Sequence, residues 1–164
     1  MSPVPNVLFV SVENALRSQL AEACLRHVSK GRFNAFSCGM PGRVAPTVSP
    51  VALEVLHRAG MPIARLSPKS WDLFRVSGPT RMDFVISLDA ETASEHPAWA
   101  SQPELALWSY PPLLWTLTPI TNRERRAEQV LLSLQRRIEL LVSLHAKVKH
   151  RSELRSDLRD LAYM

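Results

Sequence analysis

The stretch that most constrains this chain is Asn6 to Glu22, NVLFVSVENALRSQLAE. Val7 to Val10 is an unbroken apolar run with the length of a strand buried on both faces, and from Arg17 to Leu25 apolar residues recur at helical spacing. Ser11 to Leu16 must then be a tight strand-to-helix turn. Such a turn leaves the first N–H groups of the helix without intrahelical partners and aims them at one point, which is how a backbone makes an anion cradle.

The rest of the chain continues the same alternation. Val7 to Ser11, Phe33 to Cys38, Phe84 to Leu88 and Leu105 to Ser109 read as strands. Arg17 to Ser29, Ser49 to Ala59, short pieces near Lys69 to Phe74 and Glu91 to Glu95, and a long segment from Arg123 to about Lys149 read as helices. Strands alternating with helices predict an α/β fold with a parallel sheet and right-handed crossovers. The long helix carries Val130, Leu131, Leu134, Ile138, Leu141, Val142 and Val148 on one stripe, the pattern of a helix lying on a sheet. Prolines at 97, 103, 111, 112 and 119 make the intervening region mostly loop around one short strand. Two units are expected, a main domain over residues 1–150 and a helical extension over 151–164. In the extension Leu154, Leu158 and Leu161 form a stripe that either serves self-association or another protein, or covers the protein's own long helix.

At 164 residues with 46% hydrophobic residues, the chain can fill one real core. Met1 to Pro5 lacks the basic and apolar regions of a leader, and no apolar run approaches the ~18 residues of a membrane span, so a soluble cytoplasmic protein without membrane contact is expected. The net charge of +5 raises the question of nucleic acid, but much of the excess is interleaved with Glu and Asp along the last third, as on a solvated helix face, and no nucleic-acid partner is expected. Cys24 and Cys38 lack metal-ligand spacing and fit small buried hydrophobes. The histidines at 27, 57, 96, 145 and 150 are scattered without an H-x-x-x-H or C-x-x-C companion, so neither a metal nor a cofactor is expected. Core packing is the expectation for Trp71, Trp99, Trp108, Tyr110 and Trp115, with the rim of a pocket as the alternative.

Ser11-Val12-Glu13-Asn14-Ala15-Leu16-Arg17-Ser18 resembles the C-x5-R-[ST] loop of the low-molecular-weight protein tyrosine phosphatases and thioredoxin-coupled arsenate reductases, with serine at the cysteine position. The likeness runs on through Ser37-Cys38-Gly39, Ser49 to Ala52, Ala59 to Ile63, Ser67 to Ser70, Asp83 to Leu88 and Trp108 to Pro111. It implies a three-layer α/β/α domain with a four-stranded parallel sheet in the order 2-1-3-4 and the phosphate loop at the end of strand 1.

The resemblance also assigns roles. Ser11 stands at the nucleophile, Arg17 at the guanidinium that forks onto two phosphoryl oxygens, and the amides of residues 11 to 18 at the anion-binding loop. Asn14 bridges the loop by side-chain hydrogen bonds, while Ser18 orients the nucleophile or caps the helix. A thiol can be ionised near neutral pH by a helix N-terminus and a guanidinium, whereas a serine hydroxyl starts far too high. Glu13, where the family has glycine, is expected to point outward, the alternatives being a base for Ser11 or a built-in anion. Its β-carbon would be strained if that position required a positive φ. Pro112 replaces the aspartic general acid of the P-D-P loop. Asp89 and His96 fall where the arsenate reductases carry relay cysteines, which argues against thiol-dependent arsenate reduction. The expectation is therefore a family-like protein, catalytically inactive or impaired, that binds phosphate, sulfate or another oxyanion, a phosphorylated ligand, or a protein partner, a homodimer included. The alternatives are a slow phosphatase using Ser11 and a structural or oligomerisation module.

Overall fold

The structure is a computed structural model that describes residues 4–75, 81–111, 119–146 and 151–163; of 120, 121 and 151–155 it describes the backbone only. Pro112, Trp115, Val148 and His150, and the side chain of Leu154, lie outside the described residues.

Four parallel strands, β1 (Asn6–Val10), β2 (Asn34–Cys38), β3 (Phe84–Ser87) and β4 (Glu104–Leu107), form one sheet in the order β2-β1-β3-β4. This is the order expected from the resemblance. Because successive side chains leave a strand on opposite faces, the two central strands feed two cores. Val7, Phe9, Phe84 and Ile86 face one, under α1 (Arg17–Ser29), α2 (Pro50–Arg58) and α5 (Ile120–His145). Leu8, Val10 and Val85 face the other with Met40, Trp71, Met82 and Trp99, on the side of the single-turn α3 (Asp72–Arg75).

The long helix begins at Ile120, three residues before the start expected at Arg123. Its N-cap is Pro119, with φ of -56° and ψ of 144°, and makes no side-chain cap. Its stripe is core as expected: Val130, Leu131, Leu134, Ile138, Leu141 and Val142 are all buried. β4 ends at Leu107, short of the expected Ser109, although Trp108 N still donates to the Ser87 carbonyl at 2.9 Å; the Trp108 side chain is wholly buried and its Nε1 donates to the Leu158 carbonyl at 3.3 Å. That bond ties the sheet to α6 (Arg151–Asp160), followed by a 3-10 turn at Leu161–Tyr163. Leu158 and Leu161 are buried in the main core beside α5, so of the two readings of the terminal leucines these positions follow the intramolecular one. Among the described residues no helix is long and apolar enough to cross a membrane.

Candidate oxyanion site

The carboxyl ends of β1 and β3 sit side by side at the middle of the sheet, where open α/β folds place ligands. From β1 the chain turns through Ser11–Leu16 into α1. From β3 it turns through Leu88 and Asp89 into α4 (Ala90–Glu95), and Leu88 N–H donates to the Val10 carbonyl at 2.8 Å, locking the two turns together.

Asn14 is the keystone of the first turn. It is fully buried with φ of 53°, a left-handed conformation that asparagine tolerates better than most residues. Its Nδ2 donates to Ser18 Oγ at 2.7 Å and Ser37 Oγ at 3.0 Å, its Oδ1 accepts from Lys69 N at 2.9 Å, and its carbonyl accepts from Gln19 Nε2 at 2.9 Å. The bridging role expected of it is thereby realised in the geometry. Ser37 Oγ passes the network on to Glu22 Oε1 at 2.8 Å, with Lys69 Nζ at 4.0 Å from the same oxygen. Burial pulls the Lys69 ammonium below its ordinary value, with Glu22 opposing. Gly39 packs beneath the turn so tightly that a β-carbon there would stand 2.9 Å from the Val12 carbonyl oxygen and 3.0 Å from Asn14 Cβ. Of the residues that build this support, Gly39, Ser37, Lys69 and Glu22 carried no assigned role in the sequence. The signal for Ser37, Gly39 and Lys69 was the segments S-C-G and S-P-K-S at strand and loop ends, while Glu22 lies within α1.

The positive φ that a glycine would have eased falls on Asn14, not on Glu13, so the β-carbon of Glu13 is not strained in this way. The Glu13 side chain is exposed, as expected, and its carbonyl anchors the loop by accepting from Ala45 N at 2.9 Å. Ser11 and Ser18 are buried with their hydroxyl oxygens 2.6 Å apart. Capping is not the role Ser18 takes. The N-cap of α1 is Leu16, without a side-chain cap, and the Ser18 hydroxyl turns to Ser11 and Asn14 instead. Among the described residues no carboxylate or imidazole hydrogen-bonds the Ser11 hydroxyl, and the backbone amides of Glu13, Asn14, Ala15, Leu16, Arg17 and Ser18 find no protein acceptor. A run of amides with that property at a helix start has the donor arrangement of a candidate oxyanion cradle.

Arg17 completes it. Nη1 donates to the Tyr110 carbonyl at 2.9 Å, and Nη2 lies 3.1 Å from Asp89 Oδ2, each of the paired side chains being 11% exposed. Burial pulls the guanidinium below its ordinary value, while Asp89 and Glu13 work in the opposite direction. Asp89 Oδ2 also accepts from Val12 N at 3.2 Å, and Oδ1 caps α4 by accepting from Thr92 N at 2.8 Å. Sequence reasoning noticed Asp89 only as the replacement of a relay cysteine; its place at the carboxyl end of the strand beside β1 was the clue to its part in the site.

The thiols lie apart from this chemistry. Cys24 and Cys38 are both free and fully buried, and burial pushes the Cys24 thiol up to about 12 and the Cys38 thiol higher still. No group of side chains suited to holding a metal ion occurs among the described residues. Trp71, Trp99, Trp108 and Tyr110 are buried in the core, as expected.

A parallel sheet in the order β2-β1-β3-β4 with an S-x5-R-S loop after its first strand defines an α/β protein of the low-molecular-weight phosphatase and arsenate reductase fold. Residues 6–107 match the family described as low molecular weight phosphotyrosine protein phosphatase, and the chain belongs to that family. Among solved structures it is similar to the thioredoxin-dependent arsenate reductase of Corynebacterium glutamicum, with 26% identity and a TM-score of 0.57 over 85% of this chain. The chain spans 64% of the length of that protein. It shares its fold with an arsenate reductase solved in a phosphate-binding state (24% identity, TM-score 0.65, 88% of this chain and 99% of that one). YfkJ from Bacillus subtilis has the same fold (19% identity, TM-score 0.64, 90% of this chain and 99% of that one). Among curated proteins no match was found.

Proposed function

We propose that this chain is an impaired member of its family that uses the loop to bind the oxyanion head of a phosphorylated ligand or a free oxyanion, without the thiolate chemistry. The observation that carries this reading is the composition of the cradle itself: amides from Glu13 to Ser18 without protein acceptors, a guanidinium at Arg17, and a hydroxyl in place of a thiol at Ser11. Ser11 is hydrogen-bonded to another hydroxyl and, among the described residues, has no base to take its proton, so on this reading the attack on phosphorus that a thiolate performs has no counterpart here. The buried thiols are held protonated and belong to helix and strand interiors, so they supply neither a nucleophile nor a redox relay. Pro112 at the general-acid position points the same way, since a general acid is typically worth ~10²–10⁴-fold. The phosphate-binding state of one fold relative fits a cradle of this kind.

Calorimetry in inorganic phosphate tests the reading. At about 100 times its dissociation constant, phosphate adds about 2.7 kcal/mol to the unfolding free energy. Wild type shows a saturable, concentration-dependent rise in Tm, and Arg17→Ala abolishes it. A rise of equal size in Arg17→Ala places phosphate elsewhere, and no rise in wild type with phosphate, sulfate, arsenate or vanadate removes the oxyanion reading.

A further inference from the structure

The Asp89 carboxylate stands where a bound anion would draw on the same donors. Its Oδ2 accepts from the Val12 amide at 3.2 Å and pairs with Arg17 Nη2 at 3.1 Å, one donor from the loop and one from the guanidinium. The other terminal nitrogen of Arg17 is engaged by the Tyr110 carbonyl at 2.9 Å. The guanidinium is thus turned onto protein acceptors on both sides. The pair is largely shielded from water, so the contact is held with little competition from solvent. Asp89 is also firmly placed, because Oδ1 caps α4 on Thr92 N and the preceding Leu88 N–H is fixed to the Val10 carbonyl.

We propose that Asp89 is a resident anion of the cradle, so that a ligand binds by displacing its carboxylate from Arg17 and the Val12 amide. The proposal rests on the oxyanion-binding reading and adds a rule of selectivity to it. A monoanionic carboxylate or phosphodiester offers Arg17 no more charge than Asp89 already supplies. A tetrahedral dianion, such as the head of a phosphomonoester, brings two charges and oxygens enough for the guanidinium and the amides of Glu13 to Ser18 together. The site therefore favours dianionic tetrahedral groups and leaves single-charge anions out. The alternative role for the same contact is positioning, in which Asp89 holds Arg17 ready and its loss weakens every anion equally.

Titration calorimetry at constant ionic strength separates these roles, using inorganic phosphate and sulfate as dianions and acetate as a monoanion. Asp89→Asn keeps an oxygen to cap α4 and removes the charge; Asp89→Ser, which also retains a capping group, serves as the second variant if the first is destabilised. The displacement proposal predicts that both variants bind phosphate at least about tenfold more tightly than wild type, which is about 1.4 kcal/mol. It also predicts that acetate binding appears in the variants, and that adding Arg17→Ala removes both gains. Equal or weaker phosphate binding in folded Asp89 variants, with wild type still binding, overturns the displacement proposal and leaves the oxyanion reading standing. Absence of phosphate binding in wild type and both variants overturns the two together.

Discussion

Replacing Leu158 by alanine tests the packing of the C-terminal helix in a way that self-association cannot imitate. Leu158 is wholly buried in the core that α5 and the sheet share, and its carbonyl accepts the indole N–H of the equally buried Trp108. Truncating Leu158 to the β-carbon removes the transfer free energy of the lost isopropyl group and leaves a cavity that neighbours of this size fill only in part. Substitutions of this kind cost about 2–5 kcal/mol. Taking about 3 kcal/mol, and roughly 2–4 °C of Tm per kcal/mol for a chain of this length, the expected drop is about 6–12 °C. Leu132, on the outer face of the long helix and 62% exposed, is the control: Leu132→Ala stays within about 0.5 kcal/mol. Urea melts give the free energies and light scattering gives the mass, which is expected to be the same for wild type and Leu158→Ala under native conditions. A Leu158→Ala protein with unchanged stability but half the mass would refute the reasoning, because it would mean that the terminal leucines serve a partner subunit and not the chain's own core.

Gly39→Ala is expected to lower stability by about 1–3 kcal/mol, because its β-carbon would stand 2.9 Å from the Val12 carbonyl, and to weaken phosphate binding in the same measurement; a variant as stable as wild type would show that the loop does not rest on this residue. Burial, with Arg32 second, holds His145 below the ordinary imidazole value of 6.5, where it packs on Phe33 with ring centroids 4.8 Å apart. The unfolded chain therefore binds this proton more readily than the folded one, so stability rises with pH through the window below 6.5 and levels off above it. His145→Gln should flatten this part of the dependence in urea midpoints taken between about pH 5 and pH 7, and an unchanged slope would contradict the assignment.

The sheet was legible because its central strands are runs of apolar residues too short for helices, and because α1 begins at the helical repeat after Ser11. The resemblance supplied the strand order, which no periodicity encodes. The loop positions were legible for the same reason, as Asn14, Arg17 and Ser18 stand in one contiguous motif. Asp89 was not, since its contact with Arg17 and Val12 is made across the sheet between residues more than seventy positions apart in sequence. Which of its two roles Ser18 takes stayed open because a serine at the start of a helix is locally a good cap, and only the buried neighbours Ser11 and Asn14 draw its hydroxyl inward. The early start of the long helix was not legible, since its N-cap Pro119 offers no side-chain cap to mark it.

The rate of aryl phosphate hydrolysis by the wild-type protein near neutral pH tests the central claim most directly, with Arg17→Ala and Ser11→Ala as references. The account predicts no hydrolysis by wild type above these two variants, since among the described residues the buried Ser11 hydroxyl has only Ser18 as a partner and no base to ionise it. Turnover in the ordinary enzyme range of ~1–10³ s⁻¹ that disappears in Ser11→Ala would contradict it and make the serine a working nucleophile.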